Sequence, residues 1–329
     1  MKYIITGGAG FIGSHLVETL IANGNSVTVI DNLCTGRLEN LSKVKGRVNL
    51  LNLDISRNDD LSKYFENVDK VFHLAGLADI IPSIRNPVDY YRTNVNGTFN
   101  VLEASRKANV KKFIYSASAS CYGLPELCPT PESSEIKPMY PYALTKWLGE
   151  ELVMSWKKIY SLPTISLRFF NVYGPRSRSS GTYGAVFGVF LAQKIAEKPF
   201  TIVGDGNQTR DFTYVSDVVD AMIKASESNV EGEIFNIGSE KDVSVNKIAE
   251  LLGGKKVYIP KRPGEPEKSL ADISKIKKIL FWKPKTSLED GIKIMIKNKD
   301  FWKSAPVWTP SSINEITSDW FKFLKDKKD

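Results

Sequence analysis

Short apolar runs alternate with stretches of helical spacing through the first half of the chain. Tyr3–Ile5, Val27–Ile30, Val48–Leu51, Val71–Ala75 and Phe113–Ser116 read as strands. Between them, apolar residues return at three- and four-residue intervals, as in His15–Ala22, stopped at Asn23-Gly24, and in Val95–Ala108. Strand–helix alternation of this length predicts an α/β fold built on a doubly wound parallel sheet. A long helix is expected from Tyr142 to about Ile159, and Ile165–Phe170 and Ile234–Ile237 add two strands. From Gly174 to Arg210, and again from Asp242, the sequence is richer in Gly, Pro and irregular spacing. The expected domains are residues 1–173, with 211–240 returning to the same unit, and a smaller, interrupted domain over 174–329. The tail carries Trp302, Trp308 and Trp320, and Ser312 followed by Glu315 reads as a capping box opening a last helix. These tryptophans are read as an aromatic clamp on the body rather than a ligand box.

Composition narrows the class. Hydrophobic residues are 42% and charged residues 25%, an ordinary globular balance. No run reaches the roughly 18 apolar residues of a membrane span, and the N-terminus passes at once from strand to a glycine turn, so a cytoplasmic protein is expected. Cys34, Cys121 and Cys128 make an odd number without metal-ligand spacing; with only His15 and His73 besides, three packed thiols and no metal are expected. The net charge is +8, but the basic residues are spread along the chain and no nucleic-acid motif occurs. A solvated basic surface that attracts an anionic substrate fits better.

Two motifs carry chemistry. Thr6-Gly7-Gly8-Ala9-Gly10-Phe11-Ile12-Gly13 follows the first strand, where glycines let the backbone approach a pyrophosphate at a helix N-terminus. Asp31 closes the second strand, placed to accept both adenosine-ribose hydroxyls. That favours NAD over NADP, although Arg37 would soften the repulsion of a 2′-phosphate. Asp54 either meets the adenine or stands as a loop carboxylate. Tyr142 and Lys146, at i and i+4, share a helix face. A phenol titrates near 10, so a base working near neutrality needs a drop of about three units, about 4 kcal/mol. The ammonium one turn away and a positive nicotinamide are the expected sources. Ser118 follows the fifth strand, where a nicotinamide would lie.

With these pieces in order, the chain resembles the extended short-chain dehydrogenase/reductases of the nucleotide-sugar epimerase and dehydratase group. The likeness runs over about residues 1–296 and also rests on His73-Leu74-Ala75-Gly76, Asn94-Val95-Asn96-Gly97-Thr98, Arg168 to Arg176, Arg210-Asp211-Phe212 and Arg262-Pro263-Gly264-Glu265. It implies a Rossmann fold, a homodimer and bound NAD. Cofactor contacts are implied for Gly7, Gly10, Phe11, Ile12, Gly13, Asp31, Asn32, Asp54, Ile55, Leu74, Ala75, Gly76, Asn94 and Lys146, although Asn94 reads more naturally as a tie between helix and strand. His73 is a strand-end structural residue in this pattern. Tyr142, Lys146 and Ser118 are the implied catalytic set, and Asn171, Arg210 and Arg262 with Glu265 hold the nucleotide diphosphate. Similar dehydratases and decarboxylases carry acids where Ala119 and Ser120 stand, which points to C4 epimerisation of a UDP-sugar. Asp79 replaces a small or hydroxyl residue beside the sugar. Arg178 lies in a loop able to serve a uronate carboxylate. Ser269 either gates the sugar pocket, leaving room for an acetamido group, or merely opens the next segment.

Overall fold

The computed structural model describes residues 1–57, 60–177 and 186–324. Strands β1 (Lys2–Thr6), β2 (Ser26–Ile30), β3 (Asn49–Leu51), β4 (Lys70–His73), β5 (Lys112–Ser118) and β6 (Thr164–Phe169) enter one sheet in sequence order. β7 (Asn171–Tyr173), β8 (Phe200–Val203) and β9 (Thr209–Tyr214) leave it, and β10 (Glu233–Ile237) returns. β11 (Asp242–Ser244), β12 (Lys256–Ile259) and β13 (Lys268–Ser269) complete the described strands. The large sheet has seven strands in the order β10-β6-β5-β4-β1-β2-β3, and every described pairing within it is parallel. The order reverses between β1 and β4. That is where a crevice opens beyond the carboxyl ends of the strands.

Helices cover both faces because the strands are apolar nearly throughout: β4, β5 and β6 are buried along almost their whole length. α1 (Phe11–Ala22) follows β1. α2 (Ile80–Arg85), α3 (Pro87–Tyr91), a π turn at Arg92–Asn96 and α4 (Gly97–Lys107) follow β4. α5 (Pro141–Tyr160) packs on β5 and β6. It rides close to the sheet at Gly149, where a Cβ would fall 2.3 Å from the Tyr115 Oη. α6 (Val186–Ile195) and α8 (Val245–Leu252) belong to a second core with β8 and β9, whereas α7 (Val215–Glu227) packs its apolar stripe on the large sheet. α9 (Ser274–Leu280), α10 (Leu288–Lys297), α11 (Pro310–Ile316) and α12 (Ser318–Leu324) follow.

The structure corrects several expectations. β9, placed by the sequence reading in the returning segment, is the centre of the small sheet, pairing with β11, β13 and β7. β7 goes with it, so Asn171–Tyr173 pair in the small sheet and not in the large one. Both segments are apolar and β-forming, and partner choice, not local pattern, decides their sheet. The last capping box starts at Thr309: its Oγ1 accepts from the Ser312 N–H at 3.3 Å while Ser312 Oγ accepts from the Thr309 N–H at 3.0 Å. Pro310 suits the first helical position, which sets the cap one residue before it. Cys121 is packed inside, but Cys34 and Cys128 are exposed.

Replacing Gly149 by Ala should lower stability by about 1–3 kcal/mol, the scale of overpacking a tight contact. Urea denaturation reads this directly, and an unchanged midpoint would show that Tyr115 yields without cost.

Candidate active site

The crevice at the carboxyl ends of the large sheet widens into a cavity of about 710 Å³ that extends into the second domain. Its first wall is the glycine loop. Gly7 has φ +72°, and a Cβ there would stand 2.6 Å from the Ala75 backbone N. A Cβ on Gly13 would meet the Gly7 carbonyl at 2.2 Å. No side chain caps α1, whose N-cap is Gly10, so its first N–H groups are left to an anion. Asp31 ends β2 with Oδ2 accepting from Ala9 N at 2.9 Å and Oδ1 from Leu33 N at 2.8 Å. Burial pushes its carboxyl up, against the pull of those two bonds. Asp54 is clamped by the Ser56 N–H at 2.9 Å and hydroxyl at 2.7 Å, with Asn32 beside it. A pyrophosphate cradle free of side chains and a carboxylate at the second strand fit a dinucleotide. Phe11, Ile12, Asn32, Ile55, Leu74, Ala75 and Gly76 line the same end.

Asn94 lies off the cavity wall, and its amide is spent inside: Oδ1 accepts from Leu77 N at 2.8 Å, and Nδ2 donates to Leu77 O at 3.0 Å and Thr145 Oγ1 at 3.0 Å. It fixes the β4 loop to α5. His73, fully buried, bridges Thr6 Oγ1 (2.6 Å) and Thr98 Oγ1 (2.9 Å). The Thr98 hydroxyl donates to Asn94 O at 2.6 Å, which leaves it accepting from His73 Nε2–H and assigns the tautomer.

The third wall joins the end of β5 to α5. Ser118 and Ser120 hydroxyls lie 2.9 Å apart beside the Tyr142 phenol, and both favour its ionised form. Burial pushes Tyr142 up; the Ser118 bond pulls it down, and the Asp79 carboxylate adds to the rise. Lys146 is buried one turn along α5. Its ammonium sits 4.4 Å over the Tyr115 ring, and burial brings it down to about 7 against the field of Glu150. Helical spacing put Tyr142 and Lys146 on one face, but α5 packs so tightly on β5 that the lysine is drawn toward Tyr115. Asp79 precedes α2 on the wall facing Tyr142.

At the far end, Arg262 Nη1 pairs with Glu265 Oε1 at 2.9 Å and Arg210 Nη2 approaches Glu265 Oε2 at 3.8 Å. Two guanidiniums thus share one carboxylate. Asn171 and Ser269 line this end too. Arg178 lies outside the described residues. Its neighbour Arg176 is engaged by Glu18 at 2.5 Å and Ser14 at 3.0 Å. Sequence reasoning missed Tyr140, stacked on Tyr142 at 6.4 Å, and Phe187, Val203 and Trp320, all on the cavity wall. The Tyr140 position beside Tyr142 was visible; the others reach the cavity only through tertiary packing.

Residues 3–238 match the model of the NAD dependent epimerase/dehydratase family. The UDP-glucose 4-epimerase of Thermotoga maritima, solved with UDP-glucose, is 37% identical, covers 91% of this chain and 98% of its own, and superposes with a TM-score of 0.86. The UDP-N-acetylglucosamine 4-epimerase of Methanobrevibacter ruminantium M1, solved with UDP-N-acetylmuramic acid, is 34% identical over 90% of this chain and 98% of its own, with a TM-score of 0.85. A UDP-N-acetyl-alpha-D-glucosaminuronate decarboxylase of Bacillus cytotoxicus is 33% identical over 90% of this chain and 97% of its own.

Burial holds the His73 imidazole down to about 3. Its unfolded counterpart takes a proton near 6.5, so the unfolded state binds more protons between those values and stability falls as pH drops below 6.5. By pH 4.5 this one group should cost about 3 kcal/mol. Proton-detected titration of the two imidazoles checks it: in the native protein His73 should stay neutral to below pH 4, and a midpoint near 6.5 would contradict the buried bridge.

Proposed function

The chain belongs to the NAD dependent epimerase/dehydratase family, and we propose that its reaction is the inversion of C4 in a UDP-hexose or UDP-N-acetylhexosamine through a 4-keto intermediate. The cofactor is NAD. The observation that carries the reading is the Tyr142 phenol, beside the Ser118 and Ser120 hydroxyls in a cavity whose other end is the glycine loop. Ser118 orients the sugar 4-hydroxyl and Tyr142 takes its proton, then returns it after the keto sugar has turned over. When bound, NAD supplies the hydride acceptor and gives the hydride back. Lys146, one turn along α5, adds positive potential beneath the cofactor. Ala119 and Ser120 leave the serine segment without the acid that water elimination or decarboxylation uses.

The division of labour supports this substrate. The glycine loop and the ends of the large-sheet strands hold the cofactor, and the far end of the cavity, with Arg210 and Arg262, holds the UDP moiety. A diphosphate suits Arg210 and Arg262, whose two positive charges meet the single carboxylate of Glu265. Asp79, within the electrostatic reach of Tyr142, disfavours a sugar carboxylate, and Arg176 is committed to Glu18. Ser269, small and on the cavity wall, leaves room for an acetamido group.

A homodimer through the helices after β4 and β5 fits the exposed apolar residues on α3, α4 and α5: Val88, Tyr91, Phe99, Leu144, Ile159 and Tyr160 are 41–64% exposed. Scattered exposed residues mean little, but a cluster on adjacent helices marks an interface. No helix among the described residues is long and apolar enough to cross a membrane, which agrees with a cytoplasmic enzyme.

Incubation with UDP-glucose, UDP-N-acetylglucosamine and UDP-glucuronate, followed by NMR of the sugar, tests the function. C4 inversion is expected with the first two and little reaction with the uronate. Release of carbon dioxide or loss of one water would move the assignment within the family. Tyr142→Phe should keep its NAD yet lose about 100-fold or more in turnover, the scale of a missing general base.

The oligomeric state is checked by light scattering. The wild type should run at twice the chain mass and Phe99→Glu at one; a monomeric wild type would remove the dimer.

A further inference from the structure

The C-terminal segment does not end on the second domain. It starts there: Trp302 is buried in the second core, Trp308 O accepts from Gln193 Nε2 at 2.8 Å, and Ile313 of α11 packs on Val203 and Ile259. α12 then crosses to the first domain. Arg85, at the end of α2, pairs with Asp319 at 2.5 Å and donates to Ile316 O at 3.1 Å. Between these anchors Trp320 is 3% exposed and lies at the cavity wall. Its Nε1 donates to Pro263 O at 2.7 Å, the Arg262 guanidinium stands 5.3 Å over its ring, and its centroid is 6.3 Å from that of Tyr140. Tyr140 in turn stacks on Tyr142.

We propose that Trp320 is a positioning residue for the nucleotide sugar: its indole seats Arg262 and Tyr140, so that the C-terminal segment completes the substrate site at the junction of diphosphate and sugar. The inference rests on the UDP-sugar reading above. The physical case is that a long arginine loses rotamer freedom when it grips an anion, and a flat aromatic partner bonded to the neighbouring backbone prepays that loss. An indole is the strongest aromatic partner for a cation, and this one is desolvated. The same segment ties α2, which follows Asp79, to the 262–266 loop, so the two walls of the sugar end are held by one element.

The test is UDP binding to the NAD-loaded protein by calorimetry, together with KM and kcat for the turned-over UDP-sugar. Trp320→Ala should weaken UDP binding and raise KM by about tenfold, the scale of losing a desolvated cation–π anchor, with kcat changed less and NAD content near wild type, while loss of the buried indole lowers the melting temperature of a still-folded protein. Trp320→Phe, which keeps a ring but not the bond to Pro263, should fall between the two. If Trp320→Ala does not fold, Arg85→Ala loosens α12 from its exposed end and should weaken UDP binding in the same direction. Wild-type affinity for UDP in a folded Trp320→Ala, or in Arg85→Ala where it stands in, overturns the inference while leaving the substrate reading intact. A wild type that binds no UDP overturns the substrate reading and the inference with it.

Discussion

The face of α5 that carries Tyr142 and Lys146 is held by a buried ion pair. Arg168 on β6 and Glu150 on α5 meet at 2.6 Å with 4% and 1% of their side chains exposed. Taking two charges out of water costs several kcal/mol each, and the pair is tolerated only when the remaining donors and acceptors are filled. They are filled here. Ser166 Oγ donates to Glu150, while Arg168 donates to the Tyr122 hydroxyl and the Glu132 carbonyl. Tyr122 passes the network on to Asn236 of β10. One interaction therefore fixes the register of α5 against β5, β6 and β10. Glu150 is also what keeps the buried Lys146 from falling further below its ordinary range.

The two ends of the cavity solve opposite problems. At the cofactor end the chain offers backbone: a tight approach of Gly7 to Ala75 and an uncapped α1. Side chains would be in the way, and rigid peptide dipoles need no ordering when a pyrophosphate arrives. At the substrate end the chain offers long cationic side chains, pre-paired through Glu265. There the cost is conformational freedom, and the C-terminal segment is the element that restrains them. Between the ends lies a neutral patch of hydroxyls, Ser118, Ser120, Tyr140 and Tyr142, where burial keeps phenols protonated at rest.

That resting state revises how the Tyr-xxx-Lys spacing acts. Helix geometry guarantees a shared face but says nothing of depth. Lys146 sinks onto the Tyr115 ring, and the groups that oppose the desolvation of Tyr142 are the serines.

The sequence by itself determined the local devices. Apolar runs one strand long, broken by helical spacing, dictate a covered parallel sheet. Gly7, Gly10 and Gly13 after β1, Asp31 after β2, and Tyr142 with Lys146 each depend on spacings of a few residues that the backbone turns into fixed geometry. Those residues all line the same cavity. What involved distant partners was decided only by the tertiary structure. β7 and β9 have ordinary strand patterns, and the small sheet takes them because β11 and β13 offer edges there. The partners of the Asn94 amide, Leu77 and Thr145, come from distant segments. Trp320, separated in sequence from the rest of the site, had no local signal at all. Its place beside Arg262 and Tyr140 follows from where α12 docks, because burial and partner geometry are properties of the packed whole and not of a stretch of chain.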